Sequence, residues 1–151
     1  LDFSAARAIS FDNLYVRRFK PAQLLGTADA ARLWDRCEFT AEVSGQRRGE
    51  ARWQLDRPAR IYGFALWWRC ELVPGISLDT SPHSAATHWD QVYAPILEPL
   101  DGLPGDTVEI VIETETGGGE PRIGMRWEVT QIRGGDEIQR VRHDIGDGYL
   151  G

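Results

Sequence analysis

A polar loop between two strand-like segments carries the residues best suited to chemistry. The loop, Leu78 to Trp89, is rich in Ser, Thr and Pro and ends in Thr87, His88 and Trp89. An imidazole exchanges a proton near neutral pH, and an indole offers its face to a planar or cationic ligand. Because the Ser81-Pro82 pair favours extended or turn geometry, we expect the last three residues where the chain re-enters the fold. The loop is therefore a candidate binding site at a rim.

Each candidate also has a structural interpretation. His88 fits a structural histidine satisfied by hydrogen bonds, and Trp89 fits a core residue beneath the loop. Trp67 and Trp68 are expected on opposite faces of a strand, both as packing residues. His143-Asp144 suggests a metal ligand pair or a dyad, but adjacent strand residues point apart, so we interpret it as a terminal polar pair.

Composition excludes several classes of protein. With 151 residues, 42% hydrophobic and 26% charged, the chain fits one globular domain. The net charge of -6 argues against nucleic-acid binding and would suit a basic partner. No apolar run is long enough for a transmembrane helix and the start does not resemble a signal peptide, so we expect a soluble, cytoplasmic protein without membrane contact.

The two cysteines favour a reducing compartment. Cys37 and Cys70 form no CxxC motif, and no His/Cys cluster has metal-ligand spacing. We expect no metal site, and we expect both thiols to act as small buried hydrophobes.

Period-two alternation is the main secondary-structure signal. In Glu50–Leu55, apolar residues alternate with charged or polar ones, as in a strand with one buried face. Val108–Glu113 and Ile123–Val129 alternate in the same way and flank Gly117–Gly119, which predicts an antiparallel hairpin. The glycine run joins two strands instead of opening a helix, so it does not fit a phosphate-binding loop.

Arg60–Val73 is interpreted as one long strand. Its even positions, from Tyr62 to Leu72, make one apolar face, and its odd positions make a second face that becomes charged toward the end. Such a strand starts in the centre of a sheet and finishes near solvent. The small Gly63 and Ala65 indicate a tight curve or close packing.

The other segments are less periodic. Pro21–Leu25 predicts a helical turn, and Glu137–Val141 predicts a short strand. Ala28–Glu42 is ambiguous between helix and strand, and we favour strand. Leu1–Lys20 has no clean helical period, and its candidate core anchors are Phe11, Leu14, Val16 and Phe19. The sum predicts a mostly β protein of about eight strands, an antiparallel β-barrel or sandwich with one or two short helical turns.

Several motifs together resemble the C-terminal, substrate-binding β-barrel of the protein arginine methyltransferases. The specific part of the resemblance runs from Leu78-Asp79-Thr80-Ser81-Pro82 to Thr87-His88-Trp89-Asp90-Gln91, although Asp79 stands where Ser is common. The supporting segments are Leu1–Ser4, which is similar to the return from the family's dimerisation arm, Lys20–Leu24, Gly63–Trp68, Glu71-Leu72 and Gly105-Asp106.

The resemblance implies a partial enzyme. It assigns residues 1–151 to a single β-barrel domain, a C-terminal fragment without the Rossmann domain that binds S-adenosylmethionine and without the dimerisation arm. The chain would then hold no cofactor and be inactive alone, while the full-length enzyme would use S-adenosylmethionine. Its partners would be an arginine-containing protein or peptide and the missing Rossmann domain.

The resemblance also implies roles for the loop. Thr87, His88 and Trp89 would close one wall of the arginine pocket. His88 would be catalytic, hydrogen-bonding a carboxylate of the other domain and relaying the proton lost on methylation. Trp89 would line the slot and Thr87 would hold the loop. Two alternatives stay open: a methyltransferase barrel for another substrate, and a non-catalytic peptide- or sugar-binding module with an exposed aromatic groove elsewhere.

Overall fold

The computed structural model describes residues 2–40, 42–116 and 123–148. These ranges form a mostly β protein in which every strand pairing is antiparallel. The elements are helix α1 (Ser4–Phe11) and strands β1 (Tyr15–Arg17), β2 (Gln46–Gln54), β3 (Ala59–Leu66), β4 (Arg69–Val73), β5 (Ile76–Asp79), β6 (Gln91–Gly102), β7 (Thr107–Glu115), β8 (Gly124–Arg133) and β9 (Asp136–Asp144). Short 3-10 helices lie at Pro21–Gln23, Ala28–Ala30 and Ile145–Asp147.

Two sheets share one hydrophobic core. One has the order β1-β6-β3 and the other β2-β7-β8-β9, while β4 and β5 form a separate hairpin. The buried apolar side chains come from both sheets: Ala51, Leu55, Ala94, Ile96, Leu100, Val108, Ile110, Ile112, Met125, Trp127 and Val129. This confirms the predicted class of fold, and the strand order within the described ranges is that of two open sheets instead of a closed barrel.

Strands β7 and β8 pair antiparallel, as the alternation of apolar and charged residues predicted. Ile112 lies opposite Trp127 and Ile110 opposite Val129, and all four side chains are buried. On the other face, Glu109 of β7 accepts hydrogen bonds from Arg52 of β2. Because the apolar face fills the core and the charged face pairs across strands, the alternation fixes the register. The turn predicted at Gly117–Gly119 lies outside the described residues.

The prediction of one strand over Arg60–Val73 is wrong. The chain forms β3 and β4, separated at Trp67 and Trp68, and β3 contains an irregularity between Ile61 and Gly63. Ile61 and Phe64 therefore both pack on the core, although they have opposite parity, and the ring of Tyr62 is exposed. A bulge shifts the two-residue period, which sequence alternation alone does not reveal.

The cause of this irregularity lies across the ladder, at Pro95 of β6. Pro95 has no N–H to donate, and it lies opposite Gly63. A Cβ at Gly63 would lie 2.5 Å from the carbonyl oxygen of Ala94, so the glycine permits a close backbone approach. Between Pro95 and Leu100, residues 96–99 of β6 have no partner in β3, and there the Leu97 N–H donates to His143 Nε2 of β9 at 3.1 Å. This hydrogen bond links the two sheets.

The strand favoured for Ala28–Glu42 is also wrong. Ala28–Ala30 is a short 3-10 helix, and the following described residues run beside β2 without regular secondary structure. Side chains hold the segment there: the Trp53 Nε1–H donates to the Ala30 carbonyl at 2.6 Å, and Arg47 donates to Asp35 at 2.6 Å. The described part of this segment forms no hydrogen-bonded ladder, so the weak alternation of apolar and charged residues did not indicate a strand.

The N-terminal helix was not predicted. No residue of α1 is fully buried, and its eight residues make little more than two turns, which is too short for a helical period to stand out in sequence. Among the candidate anchors, Leu14 packs on the core, Phe11 and Phe19 are half-buried and Val16 is 78% exposed, which corrects the expectation for Val16.

The remaining predictions fall on described residues. The turn at Pro21–Gln23 and the strand over Glu137–Val141 are confirmed, the latter as part of β9. Cys37 is exposed and Cys70 is half-buried, so the expectation of two buried thiols is wrong. Within the described ranges, no helix has the length and apolar character needed to cross a membrane, and no three or more His, Cys, Asp or Glu side chains cluster as metal ligands would.

Candidate functional site

Two buried polar residues fix the ends of the loop between β5 and β6. The Thr80 hydroxyl accepts the Trp68 N–H at 3.1 Å and donates to the Trp68 carbonyl at 3.0 Å. The Gln91 side-chain amide donates to the Thr80 carbonyl at 2.7 Å, and its oxygen accepts the Phe19 N–H at 2.8 Å. Since Thr80 and Gln91 are 1% and 5% exposed, these bonds are shielded from water and hold the loop ends together.

The three predicted site residues lie together on the surface of this loop. Thr87 is half-buried, and its hydroxyl donates to the carbonyl of Trp89 at 3.1 Å. His88 is exposed, and the ring of Trp89 is 50% exposed, so the interpretation of Trp89 as a core residue is wrong. Among the described residues, the imidazole of His88 makes no hydrogen bond and contacts Trp89 edge-on, with ring centroids 6.0 Å apart. Both imidazole nitrogens are therefore available to a ligand.

A second tryptophan joins the site. Trp68 lies at the break between β3 and β4, and its ring meets that of Trp89 edge to face at 5.6 Å. Trp68 is 42% exposed, and its assignment as a packing residue stays a prediction. Trp89 thus contacts both Trp68 and His88. The sequence signals for Trp68 were its place in the Gly63–Trp68 segment of the family resemblance and its position before the charged end of the predicted strand, and neither places it beside Trp89.

The N-terminal segment reaches the same loop through Arg18. The Nε of Arg18 donates to Asp90 Oδ1 at 2.7 Å, and its Nη2 donates to the Thr87 carbonyl at 3.2 Å. Sequence reasoning missed this residue because nothing local connects it to a loop some 70 positions later in the chain.

The side chains of His143 and Asp144 have separate partners, as expected for adjacent strand residues, although the Asp144 N–H shares Asp12 with His143. His143 is 5% exposed, stacks on Trp127 and contacts Asp12 Oδ1 through Nδ1 at 2.8 Å. Because its Nε2 accepts the Leu97 N–H, the proton of the neutral ring is on Nδ1 and is donated to Asp12. Asp144 accepts instead from Arg126 and from the Gly146 N–H. This histidine is structural and ties the end of α1 to both sheets.

Asp106, part of the resemblance, is also structural. Its carboxylate is 1% exposed and accepts from Arg133 at 2.8 Å, from the Leu103 N–H at 2.9 Å and from Gln131 at 2.7 Å. The guanidinium of Arg133, with the Leu103 N–H next in importance, holds the pKa of Asp106 well below its ordinary range. The carboxylate fixes the turn between β6 and β7 to β8.

The described residues do not fit an S-adenosylmethionine site of the Rossmann type. Such a site needs a parallel strand, a Gly-rich loop and a helix in that order. In the described ranges α1 precedes every strand and all pairings are antiparallel. The arrangement can offer aromatic side chains and an imidazole to a ligand.

The fold and the site together define a class of protein, namely an antiparallel β domain with a polar loop whose two ends are held by buried hydrogen bonds. Neither a protein-family model nor a curated protein matches the chain. Among solved structures, the chain is similar to a chain of the Trypanosoma brucei PRMT1 enzyme-prozyme heterotetrameric complex with AdoHcy. The TM-score is 0.68 at 15% sequence identity, over 95% of this chain and 46% of that chain. At this identity the likeness shows the fold alone, namely that of a β domain like the one within the PRMT1 chain.

Proposed function

We propose that this chain is the substrate-side β domain of an S-adenosylmethionine-dependent, protein arginine N-methyltransferase-like protein. The observation that carries the proposal is the exposed His88 imidazole beside the Trp89 ring, on a loop whose ends are fixed by Thr80 and Gln91. The fold likeness to a PRMT1 chain supports it, as does the resemblance of the loop residues.

The chemistry of a guanidinium matches what the loop offers. A guanidinium is a planar cation, so aromatic faces attract it and stack on its plane. The indoles of Trp89 and Trp68 supply such faces. Methylation of a guanidinium nitrogen releases a proton, and His88 carries ring nitrogens without a partner among the described residues. We assign Trp89 to substrate binding, His88 to proton relay and Thr87 to holding the Trp89 carbonyl.

The methyl donor belongs to another domain in this proposal. S-adenosylmethionine would supply the methyl group, and it would be held by a Rossmann domain of the same protein, since the described residues lack a fitting cradle. The chain alone is then expected to be inactive. The net charge of -6 suits an arginine-containing peptide and argues against nucleic acid. A cytoplasmic location is part of the proposal and fits two cysteines that form no disulfide.

The competing functions place the aromatic surface differently. A peptide- or sugar-binding module would use an aromatic groove away from the loop, whereas the Trp68–Trp89 pair lies at the loop. A methyltransferase for another substrate would use the same loop but would not prefer arginine. Discrimination between arginine and lysine ligands therefore separates the proposed function from both alternatives.

Calorimetric titration of the chain with an arginine-rich peptide, a lysine-rich peptide of equal charge and S-adenosylmethionine tests the proposal. We expect binding of the arginine peptide, weaker binding of the lysine peptide and none of the cofactor. Trp89→Ala should weaken arginine-peptide binding by about tenfold, the magnitude of a partly desolvated cation–π contact.

Tyr62→Ala provides the matched control, because Tyr62 is exposed on β3 and not part of the loop. Equal affinity of the two peptides, or equal effects of the two substitutions, would contradict arginine recognition by the loop. Binding of S-adenosylmethionine by this chain would contradict the proposal that a separate domain binds the cofactor.

A further inference from the structure

One guanidinium contacts the Thr87–Trp89 segment on both sides of the candidate site residues. Arg18 donates through Nη2 to the Thr87 carbonyl at 3.2 Å and through Nε to Asp90 Oδ1 at 2.7 Å. Thr87 precedes His88 and Asp90 follows Trp89. Arg18 therefore brackets the two site residues without contacting either ring in the described structure.

We propose that Arg18 is a positioning residue that sets the orientation of His88 and Trp89. The consequence for arginine binding rests on the proposed function, whereas the positioning itself does not.

The backbone that carries Arg18 is fixed. Arg17, at the end of β1, pairs with Gln91, at the start of β6. The next residue after Arg18, Phe19, donates its N–H to the side chain of Gln91 at 2.8 Å. Gln91 thus holds the backbone on both sides of Arg18 and, through Thr80, the start of the loop. The guanidinium is delivered from a rigid support.

The loop has few other attachments near the site. Among the described residues, all side-chain hydrogen bonds that join residues 85–90 to the chain outside the loop come from Arg18. The ring of Trp68 also contacts that of Trp89. An aromatic pair tolerates several geometries. Arg18 therefore holds the loop in the geometry in which Trp89 meets Trp68 edge to face and stays half-exposed.

Arg18 contributes little to overall stability. Its side chain is 58% exposed and that of Asp90 32% exposed, and surface ion pairs of this kind are weak. Removal of Arg18 should consequently release the loop while the fold persists, which separates positioning from folding.

The Trp68–Trp89 pair supplies a readout that needs no substrate. The rings lie 5.6 Å apart at 69°, so their electronic transitions couple and give a paired positive and negative band in far-ultraviolet circular dichroism. Trp68 is held by Thr80, whereas Trp89 lies on the loop. The intensity of the band pair therefore reports the position of Trp89. Trp89→Phe should abolish it and identifies the signal.

The experiment compares Arg18→Ala, Arg18→Lys and Arg17→Ala. We expect Arg18→Ala to lose most of the band pair with a thermal midpoint within about 3 °C of the wild type. Arg18→Lys should keep an intermediate intensity, because one ammonium does not reproduce two directed donors. Arg17→Ala is the control, since that guanidinium lies over Phe19.

Asp90→Asn removes the ion pair from the loop side and guards against a misfolded Arg18 variant. The losses of band-pair intensity in Asp90→Asn and Arg18→Ala should not add in the double variant, because Arg18→Ala already breaks the ion pair that Asp90→Asn removes. An unchanged band pair in Arg18→Ala, or fully additive effects, would overturn the proposal. Loss of the band pair supports positioning even if neither Arg18→Ala nor Trp89→Ala alters peptide binding, and in that case only the proposed function fails.

Discussion

At the scale of residues, the polar residues that hold the loop in place differ in burial from the candidate site residues that the loop carries. Thr80 and Gln91 are buried and fully hydrogen-bonded, whereas His88 and Trp89 are exposed. The polar residues that frame the loop stabilise it because a buried donor or acceptor without a partner is costly. Among the described residues, the rings of His88 and Trp89 have aromatic contacts but no hydrogen bonds, and their role toward a ligand is part of the proposed function.

Asp106 gives a residue-scale prediction about pH. Its pKa lies below the ordinary value of 3.8 in the folded chain, chiefly because Arg133 donates to it. A carboxyl whose folded pKa is lowered stabilises the fold above its unfolded pKa and loses that contribution as pH falls toward the folded pKa. The free energy of unfolding should therefore decrease as pH is lowered below about 4.

Urea unfolding at a series of acidic pH values checks this prediction. Asp106→Asn should be less stable at neutral pH and show a shallower decline in acid. Arg133→Met should show the same shallower decline, because it removes the main cause of the lowered pKa. A decline as steep in both variants as in the wild type would show that other carboxyls control the acid response.

At the scale of elements, the irregular segment beside β2 substitutes for a strand. The Trp34 carbonyl lies so close to β2 that a Cβ at Gly49 would be 1.6 Å from it. Trp34 also packs on the core, and Arg47 holds Asp35. The segment therefore covers an edge of the sheet through side-chain and close backbone contacts, which protects that edge from pairing with another chain.

Gly49→Ala tests this packing. We expect a loss of about 2 kcal/mol in the free energy of unfolding, because backbone must move to admit the methyl group. Gly124→Ala is the matched control in β8, where the nearest atom, Glu115 Cβ, would lie at an ordinary 3.5 Å. Chemical denaturation measures both, and equal stability of the two variants would refute the close approach.

The parts of the fold that sequence could predict are those in which packing repeats locally. The alternation in β7 and β8 was informative because every second side chain enters the core. The Arg60–Val73 prediction failed because Pro95, more than 20 positions away in sequence, lies opposite Gly63 at the irregularity in β3. Helix α1 was missed because eight residues are too few for a clear helical period. The Ala28–Glu42 segment was misassigned because side chains hold its described part in place of a ladder.

The candidate site likewise has residues that a local sequence pattern predicted and residues that it did not. Thr87, His88 and Trp89 were found through a contiguous motif that resembles a known family. Trp68 and Arg18 were not, since each reaches the loop by a contact across sequence that no local pattern encodes. The catalytic and binding roles of the loop stay predictions.

At the scale of the whole molecule, one core joins two sheets, and the candidate site lies outside that core. His143 ties α1 to β6, and Trp127 donates its indole N–H to the Pro95 carbonyl at 2.8 Å. The chain spans 46% of the PRMT1 chain that it resembles in fold. The role proposed for this chain, one wall of a pocket completed by another domain, needs the Thr87–Trp89 loop at the surface, where the structure has it.

The most direct test of that role is a titration of the chain with the arginine-rich peptide, followed through the indole N–H signals of its six tryptophans by NMR. The account predicts that the signals of Trp68 and Trp89 shift, while those of Trp127 and Trp53, whose indole N–H groups are hydrogen-bonded within the fold, stay in place. The lysine-rich peptide of equal charge should cause smaller shifts. Shifts confined to other tryptophans, or equal shifts with both peptides, would contradict arginine recognition at this loop.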